Sequence, residues 1–411
     1  MNYELKKACR VKKFALTIAF MLTFSFPSGN SRNSCNSWSS PLTVEATKDF
    51  FFSSPLHFRT FLAGNFGETR PRHFHGGIDI KTQGKEGKAV FAIGDGYITS
   101  VITNHPTVGN AIVVKHPQGY LSMYCHLQRF APHIRPRIPV AQGQIIAISG
   151  STGVSQGPHL HLELHDSKTG QLLDPLDYTA LDITDNTPPE LHEIKVYPQD
   201  TLSHICGSRE PKTIPAPPSP THSSSLRVVR EIRDPSSLIQ YAWGHLAFAI
   251  NANDYMEGSA NRLGIRLIQF YVDRQLVYQR TMQAFMPTDH PLAEQTSETN
   301  DGKCYIYTWL PKDIRSSLFA TDAARGIVNI DSERDYNLVY LLTDQQGNQS
   351  HYAFTVRGKK NVAPKEKEDN ELNDEPKADT RKKADAQIRK KANVEKNRKK
   401  RHRRSQHRRR H

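Results

Sequence analysis

A histidine and an aspartate stand four residues apart in the stretch FHGGIDI (residues 74–80), with two glycines between them. The glycine pair makes a helix unfavourable. In an extended strand, successive side chains alternate between faces, so that His75, Gly77 and Asp79 share one face and the two isoleucines share the other. The stretch is therefore predicted to bury its apolar face and to present two metal-ligand side chains on the open face.

The stretch GPHLHLELHD (residues 157–166) alternates in the same way. Its three leucines fall on one face, and His159, His161, Glu163 and His165 fall on the other. We expect a second half-buried strand with imidazole and carboxylate groups on its open face.

A third strand is predicted over GYLSMYCHL (residues 119–127). Strict alternation assigns its side chains to two faces, with Leu121, Met123, Cys125 and Leu127 inward and Ser122, Tyr124 and His126 outward.

These residue types suit a catalytic zinc site. Zinc binds histidine nitrogen and aspartate oxygen, and hydrolytic sites keep three protein ligands and one open position for water. Additional histidines can accept a proton from that water or stabilise a developing oxyanion. The alternation alone leaves open which of His126, His159, His161 and His165 bind metal.

The order His-x-x-x-Asp, Tyr-x-His-Leu and then His-x-His after GSTG…GP resembles the lysostaphin/LytM-type zinc endopeptidases, which cut peptidoglycan cross-bridges. Neighbouring segments are also similar, including GNFGETR, VFAIGDGYITSV, VGNAIVVKHPQGY and VAQGQIIAISGSTG. The resemblance covers about residues 65–178. It implies the duplicated hybrid motif fold, a groove between antiparallel sheets with zinc at its floor.

Roles for five residues follow from the resemblance. It implies that His75, Asp79 and His161 bind Zn²⁺, and that the catalytic residues His126 and His159 lie around the reacting water.

Other histidines lack the family's spacing. His73 is assigned to the rim of the cleft, and Glu163 and His165 are either supports for the metal ligands or solvent-facing groups. Four more are predicted to lie on the surface: His57, His105, His116 and His133.

The elements that must position these groups are short strands separated by glycine-rich turns, and the fold class is all-β. A LytM-type zinc peptidase domain is predicted over residues 50–180, and the proline-containing DITDNTPPE (residues 182–190) is interpreted as a linker. Further strand-like segments predict an immunoglobulin-like β-sandwich over residues 190–357. The segment 208–225, rich in proline and serine, is predicted to be a loop.

Both ends of the chain differ in composition from the rest. Residues 1–29 carry a basic start and a 13-residue apolar run, typical of a signal peptide, with an uncleaved anchor as the alternative. Residues 358–411 contain 21 Lys and Arg against nine Asp and Glu, a net charge of +12 in a chain of net charge +14. This basic tail is predicted to be disordered because it has too few apolar residues for a core. No Cys-x-x-Cys occurs, which disfavours a thiolate zinc site.

The sequence thus predicts an exported zinc metalloendopeptidase of the periplasm or cell envelope. Its expected partner is peptidoglycan, and its tail is expected to contact anionic envelope surfaces. One alternative is an inactive LytM-type regulator that activates other wall hydrolases. A nucleic-acid binder is disfavoured, because export separates it from that partner and no aromatic residues interleave the basic run. No transmembrane span is expected in the mature protein.

Overall fold

The computed structural model describes residues 52–217 and 239–361. The predicted signal peptide (1–29), residues 218–238 and the tail from 362 lie outside these described ranges. Within them, no helix is both long enough and apolar enough to cross a membrane.

The first region, residues 52–180, is built almost entirely from strands, as predicted, with one 3₁₀ turn at Pro175–Asp177. Its fourteen strands are β1 Phe52–Ser53, β2 Leu62–Gly64, β3 Thr69–Arg70, β4 His73–Phe74, β5 Ile78–Lys81, β6 Ala89–Phe91, β7 Gly96–His105, β8 Gly109–Lys115, β9 Tyr120–Phe130, β10 Pro139–Val140, β11 Ile145–Ser149, β12 His159–Asp166, β13 Leu172–Leu173 and β14 Thr179–Ala180.

Strand β12 lies between β9 and β5, and both neighbours run antiparallel to it. His161 is paired with Cys125 on one side and with Asp79 on the other. The three leucines of β12 are fully buried, so its predicted alternation is confirmed. The buried leucine face anchors the strand in the core and leaves His161 on the same face of the sheet as its cross-strand partner Asp79.

The glycine between His75 and Asp79 permits this pairing. A Cβ atom on Gly77 would lie 2.2 Å from the carbonyl oxygen of Leu162. Only glycine allows the backbone of β12 to approach so closely. Residues 75–77 form a break before β5 rather than part of a continuous strand, which corrects the uninterrupted strand predicted for this stretch.

The predicted alternation in β9 is wrong over its first half. Ser122 and Tyr124 are fully buried, whereas Leu121 and Met123 are partly exposed. The physical reason is an irregularity at His126, whose φ is +59°. Because one residue adopts the left-handed conformation, Tyr124 and the later Leu127 both reach the core although their parities differ.

Cys125 is buried, but not on the face that was expected. It is absent from the buried hydrophobic cluster around Tyr124. Burial, together with the charges of Glu163 and Asp79, raises the pKa of its thiol. The side chain therefore lies on the side of the polar centre.

The second region comprises the described residues from 190 to 358 and is also β-rich. It contains β15 Glu190–Pro198, β16 His204–Ile205, β17 Lys212–Pro215, β18 Ile239–Tyr255, β19 Arg262–Leu263, β20 Leu267–Val272, β21 Gln275–Thr281, β22 Ala284–Phe285, β23 Ser297–Asn300, β24 Lys303–Tyr307, β25 Phe319–Thr321, β26 Val328–Ile330, β27 Asp335–Thr343 and β28 Gln349–Gly358, with a 3₁₀ turn at Pro287–Asp289 and helix α1 at Leu292–Gln295.

Thirteen of these strands form one hydrogen-bonded network around a second hydrophobic core. The hairpins β20–β21 and β27–β28 turn at Asp273 and Arg274 and at residues 344–348, respectively. Strand β17 pairs with β15, so the described part of segment 208–225 is not the plain loop that the sequence predicts. Proline is tolerated in β17 because this strand lies at the edge of its sheet. The immunoglobulin-like arrangement stays a prediction. The three described cysteines (Cys125, Cys206 and Cys304) are free.

The two regions share backbone pairing. Strand β22 pairs with β13 and so extends the sheet of the first region. Asn65 adds two hydrogen bonds, accepting from the N–H of Gly264 at 2.7 Å and donating to its carbonyl oxygen at 2.8 Å. Residues 181–189 between the regions have no regular secondary structure, which agrees with the linker composition; the domain boundaries themselves stay a prediction.

Candidate metal and catalytic centre

Three buried side chains converge where β5 meets β12. Asp79 Oδ1 lies 2.8 Å from His161 Nδ1 and 3.2 Å from His75 Nε2, and the two histidine nitrogens are 3.0 Å apart. Each residue thus offers one ligand atom to a group within 4.8 Å. The structure brings together the three residues that the resemblance implies as metal ligands.

The tautomer of His75 is set by the backbone. Its Nδ1 lies 2.8 Å from the carbonyl oxygen of Asn65. A carbonyl oxygen can only accept, so Nδ1 must donate, and in the neutral ring Nε2 is left as an acceptor facing the centre.

His161 adopts the opposite tautomer, with its proton on Nε2. Its Nε2 lies 3.0 Å from Oε1 of Glu163, and Glu163 Oε2 accepts in turn from His165 Nε2 at 2.8 Å. An ionised carboxylate accepts only, so His161 Nε2 donates and Nδ1 faces the centre as an acceptor.

Three acceptor atoms therefore meet with no donor between them when both rings are neutral. Two nitrogen lone pairs and a carboxylate oxygen at about hydrogen-bond distance repel one another unless a proton or a cation lies between them. Two imidazoles and one carboxylate, with a hydrogen bond behind each imidazole, are also the donor set that zinc prefers. The residues present fit a zinc ion.

Without a cation, a proton must take that role. Burial alone would lower the pKa of His161, but the hydrogen bonds and charges of Asp79 and Glu163 raise it to about 9. Burial lowers the pKa of His75 to about 4. Burial alone would raise the pKa of Asp79, but the facing histidines His75 and His161 hold it well below its usual range. In the absence of a cation, the centre thus pairs a protonated His161 with an ionised Asp79 at neutral pH.

The second oxygen of Asp79 contacts an arginine that the sequence reasoning did not single out. Arg70 Nη2 donates to Asp79 Oδ2 at 2.7 Å and to Glu68 Oε2 at 3.0 Å. Arg70 orients the carboxylate so that Oδ1 faces the histidines. The only available signal was its place in GNFGETR beside the first motif, because nothing in local spacing links residues 70 and 79.

The two predicted catalytic histidines lie beside this cluster. His159 Nε2 is 3.5 Å from Asp79 Oδ1, and the rings of His126 and His159 are 4.8 Å apart between centroids. Nδ1 of His126 donates to the carbonyl oxygen of Thr152 at 2.8 Å, and Nδ1 of His159 donates to that of Gly157 at 2.8 Å. In both neutral rings Nε2 is left able to accept a proton.

The position of His126 depends on its unusual backbone. Its φ of +59° is uncommon for a residue with a side chain. It lies where β9 changes partner, since Cys125 pairs with β12 and Leu127 pairs with β11. The irregularity turns the imidazole toward His159 and His161.

The remaining histidines divide as follows. His73 is exposed and lies 6.1 Å, between ring centroids, from His290 of the second region. The predicted surface positions of His57, His105 and His133 are confirmed. The surface prediction for His116 is wrong. Its side chain is buried because its ring nitrogens bond the Asp95 carbonyl oxygen at 2.8 Å and the Ser122 hydroxyl at 2.7 Å.

Comparison with known proteins decides the family of this region. Residues 73–175 match peptidase family M23. The chain contains an M23 peptidase domain. All five residues to which the resemblance assigns roles lie inside the matched range, whereas Asn65 and Arg70, which contact two of them, lie before it.

Relatives of the M23 domain include both a named endopeptidase and a named hydrolase activator. Peptidoglycan DD-endopeptidase ShyA of Vibrio cholerae is 40% identical over 78 residues, which are 19% of this chain and 17% of that protein. The murein hydrolase activator NlpD of Escherichia coli is 37% identical over 102 residues, a quarter of each chain. The chain thus spans about a fifth of the length of the curated relatives that it matches.

A solved zinc-containing peptidase from Vibrio cholerae is also similar, at 30% identity and a TM-score of 0.27. The similarity covers 29% of this chain and 37% of that one.

Proposed function

We propose that the protein is a zinc-dependent endopeptidase that hydrolyses peptide cross-links of bacterial peptidoglycan. The observation that carries the proposal is the convergence of His75 Nε2, Asp79 Oδ1 and His161 Nδ1, which are three acceptors with no donor between them when both rings are neutral. The DD-endopeptidase relative supports the substrate class.

In this proposal those three atoms hold the zinc ion. When bound, zinc supplies a Lewis acid that makes a water molecule nucleophilic near neutral pH. Asn65 and Glu163 hold the two imidazoles in the tautomers that direct a lone pair inward. Arg70 holds Asp79 Oδ2 and leaves Oδ1 for the metal.

His126 and His159 are the proposed catalytic residues. Each ring is fixed by a backbone carbonyl at Nδ1, so Nε2 can accept a proton from the attacking water and return it to the leaving amine. A ring that has become protonated can donate to the carbonyl oxygen of the scissile bond and stabilise the charge that develops there. Burial lowers the pKa of His126 to about 4, which keeps this ring neutral at physiological pH.

The proposed organisation has a peptidase domain over residues 50–180 and a second domain over 190–357. A signal peptide at 1–29 would deliver the enzyme to the periplasm or cell envelope, where its substrate lies. The basic tail, 358–411, would then retain it at anionic envelope surfaces, since a polycation is attracted to such surfaces.

A second candidate is supported by the similarity to the murein hydrolase activator NlpD. In that case the domain would act through another wall hydrolase. The two functions differ in one measurable property, because only an enzyme releases fragments from purified wall with no other hydrolase present.

The test uses the full chain, loaded with one equivalent of zinc and incubated with purified peptidoglycan sacculi. Mass spectrometry of released muropeptides should show loss of cross-linked dimers and gain of monomers. His159→Ala is the matched control, since it keeps the proposed ligands. The absence of any cleavage product, with zinc bound, would remove the endopeptidase proposal and leave the activator.

A further inference from the structure

A second group of carboxylates lies apart from the histidine centre. Asp185 belongs to the segment between the regions, Asp254 to strand β18, and Asp344 to the turn between β27 and β28. Each offers an oxygen atom to a cluster whose members all lie within 4.8 Å of one another. Three like charges from three distant parts of the chain are thereby brought within a few ångströms.

Asp254 is the member of the cluster whose environment indicates a missing ligand. Its side chain is only 1% exposed, and its Oδ1 atom has no hydrogen-bond partner. An unsatisfied buried carboxylate oxygen is unfavourable. Burial, followed by the charges of Asp344 and Asp185, raises the pKa of Asp254 to about 8, so the surroundings oppose its ionisation when no counter-charge is present.

Arg266 is a cation whose charge acts on Asp344, but its hydrogen bonds go to another carboxylate. Arg266 donates both of its terminal nitrogens to Asp177, at 2.9 and 2.7 Å. The nearby carboxylate of Glu190 adds a further negative charge around Asp254. A net negative charge is therefore left among the three aspartates.

A small cavity opens beside two of the three aspartates. It is lined by Asp185, Asp254, Gln345 and Gln346 together with apolar side chains such as Leu176, and its volume is ≈ 10 Å³. This is roughly the space that one water-sized particle requires.

The two other aspartates are already held in position. Asp344 Oδ1 accepts from the N–H groups of Gln346 and Asn348, both at 2.8 Å. The side-chain amide of Asn348 donates to Asp344 Oδ2 at 2.7 Å and to the carbonyl oxygen of Asp185 at 3.1 Å. The two lone pairs of Asp344 Oδ1 are both used by these bonds, whereas Oδ2 accepts only one and keeps a lone pair for a cation.

We propose that Asp185, Asp254 and Asp344 bind one calcium ion, which fastens the segment 181–189 to the second β region. The ligands are all oxygen, with no imidazole or thiol, which selects a hard cation rather than zinc. Calcium–oxygen distances of about 2.3–2.6 Å let one ion reach oxygens that are up to about 5 Å apart, whereas magnesium requires about 2.0–2.1 Å and a stricter octahedron.

The site is independent of the proposed peptidase activity. The full chain, freed of metal on a chelating resin and given one equivalent of zinc, is titrated with CaCl₂ by calorimetry and followed by thermal unfolding. A parallel titration uses MgCl₂. We expect one calcium ion per chain, a rise in Tm, and a weaker response to magnesium.

Asp254→Asn is the decisive variant, since it keeps the shape of the side chain and removes its charge. It should lower calcium affinity by at least about tenfold, because affinity at oxygen sites follows the number of charged ligands. Without calcium it should melt at or above the wild-type Tm, because a buried repulsion is relieved. The exposed Asp313→Asn is the matched control and should bind calcium like wild type.

Three outcomes would overturn the proposal. The first is no heat of binding and no change in Tm at up to about 10 mM calcium, above the range of weak extracellular sites. The second is unchanged calcium affinity in Asp254→Asn. The third is an equal response to magnesium, which would remove the assignment to calcium. The Asp254→Asn variant is taken as folded if its Tm without calcium is at or above that of the wild type. If it is misfolded, the titration is repeated with Asp185→Asn.

Discussion

Glu163 Oε1 lies 3.0 Å from His161 Nε2, two residues away on the same face of strand β12. The carboxylate determines which nitrogen of His161 carries the proton and therefore which one faces Asp79. A residue behind the proposed ligand thus controls whether the ligand has a lone pair to offer.

His161→Ala should abolish stable zinc binding. It removes one of three proposed ligand atoms and leaves His75 and Asp79, too few for a tight site. Elemental analysis of the purified full chain should find zinc well below one equivalent. Full zinc occupancy in this variant would show that His161 is not a ligand.

Glu163→Gln should weaken zinc binding without removing any ligand. The amide oxygen can still accept a hydrogen bond, but the loss of charge makes the imidazole a poorer donor to metal. We expect a loss in zinc affinity of about 10–100-fold, measured by competition with a chelating dye. The exposed Glu86→Gln is the control, and equal affinities in the two variants would contradict the role of Glu163.

His126→Ala and His159→Ala should keep zinc and lose turnover. A positioned acid or base contributes roughly 10²–10⁴-fold to rate. The measurement is the initial rate of muropeptide release from sacculi, alongside zinc content. Cleavage at close to the wild-type rate in either variant would show that the changed histidine is not catalytic.

Gly77→Ala should destabilise the fold at the centre. Its Cβ would lie 2.2 Å from the Leu162 carbonyl oxygen, so β5 and β12 must separate. Overpacking of this kind costs about 1–3 kcal/mol, and a lower Tm should be accompanied by weaker zinc binding. Gly157→Ala is the matched control, since its Cβ would meet no atom within 4 Å. Equal Tm values would contradict the close approach.

Removal of all residues after Arg357 should weaken binding to anionic surfaces without changing the rate of peptide hydrolysis. The removed segment carries a net charge of +12, and a Lys or Arg near an anionic membrane is worth about 1 kcal/mol at low salt. We expect weaker, less salt-sensitive sedimentation with anionic vesicles and an unchanged rate on a small soluble cross-linked peptide. Equal retention of both chains at low ionic strength would rule out the tether.

The sequence by itself determined the all-β character of the first region and the identity of the residues that meet at its centre. Alternation along β12 is a property of the extended backbone, so the buried leucines and the open histidine face could be predicted from local order alone. The spacing of His75 and Asp79, and their order relative to His161, indicated one family before any distance was known.

Only the tertiary structure decided the contacts that depend on register and on packing between distant segments. The hydrogen bond from Arg70 to Asp79 and the addition of β22 to the first sheet are examples. The left-handed backbone of His126 overrode strict alternation because the strand changes partner there. The cluster of Asp185, Asp254 and Asp344 has no signature in sequence, because its members are 69 and 90 residues apart. Only the packing of the segment 181–189 against the second region brings them within 4.8 Å.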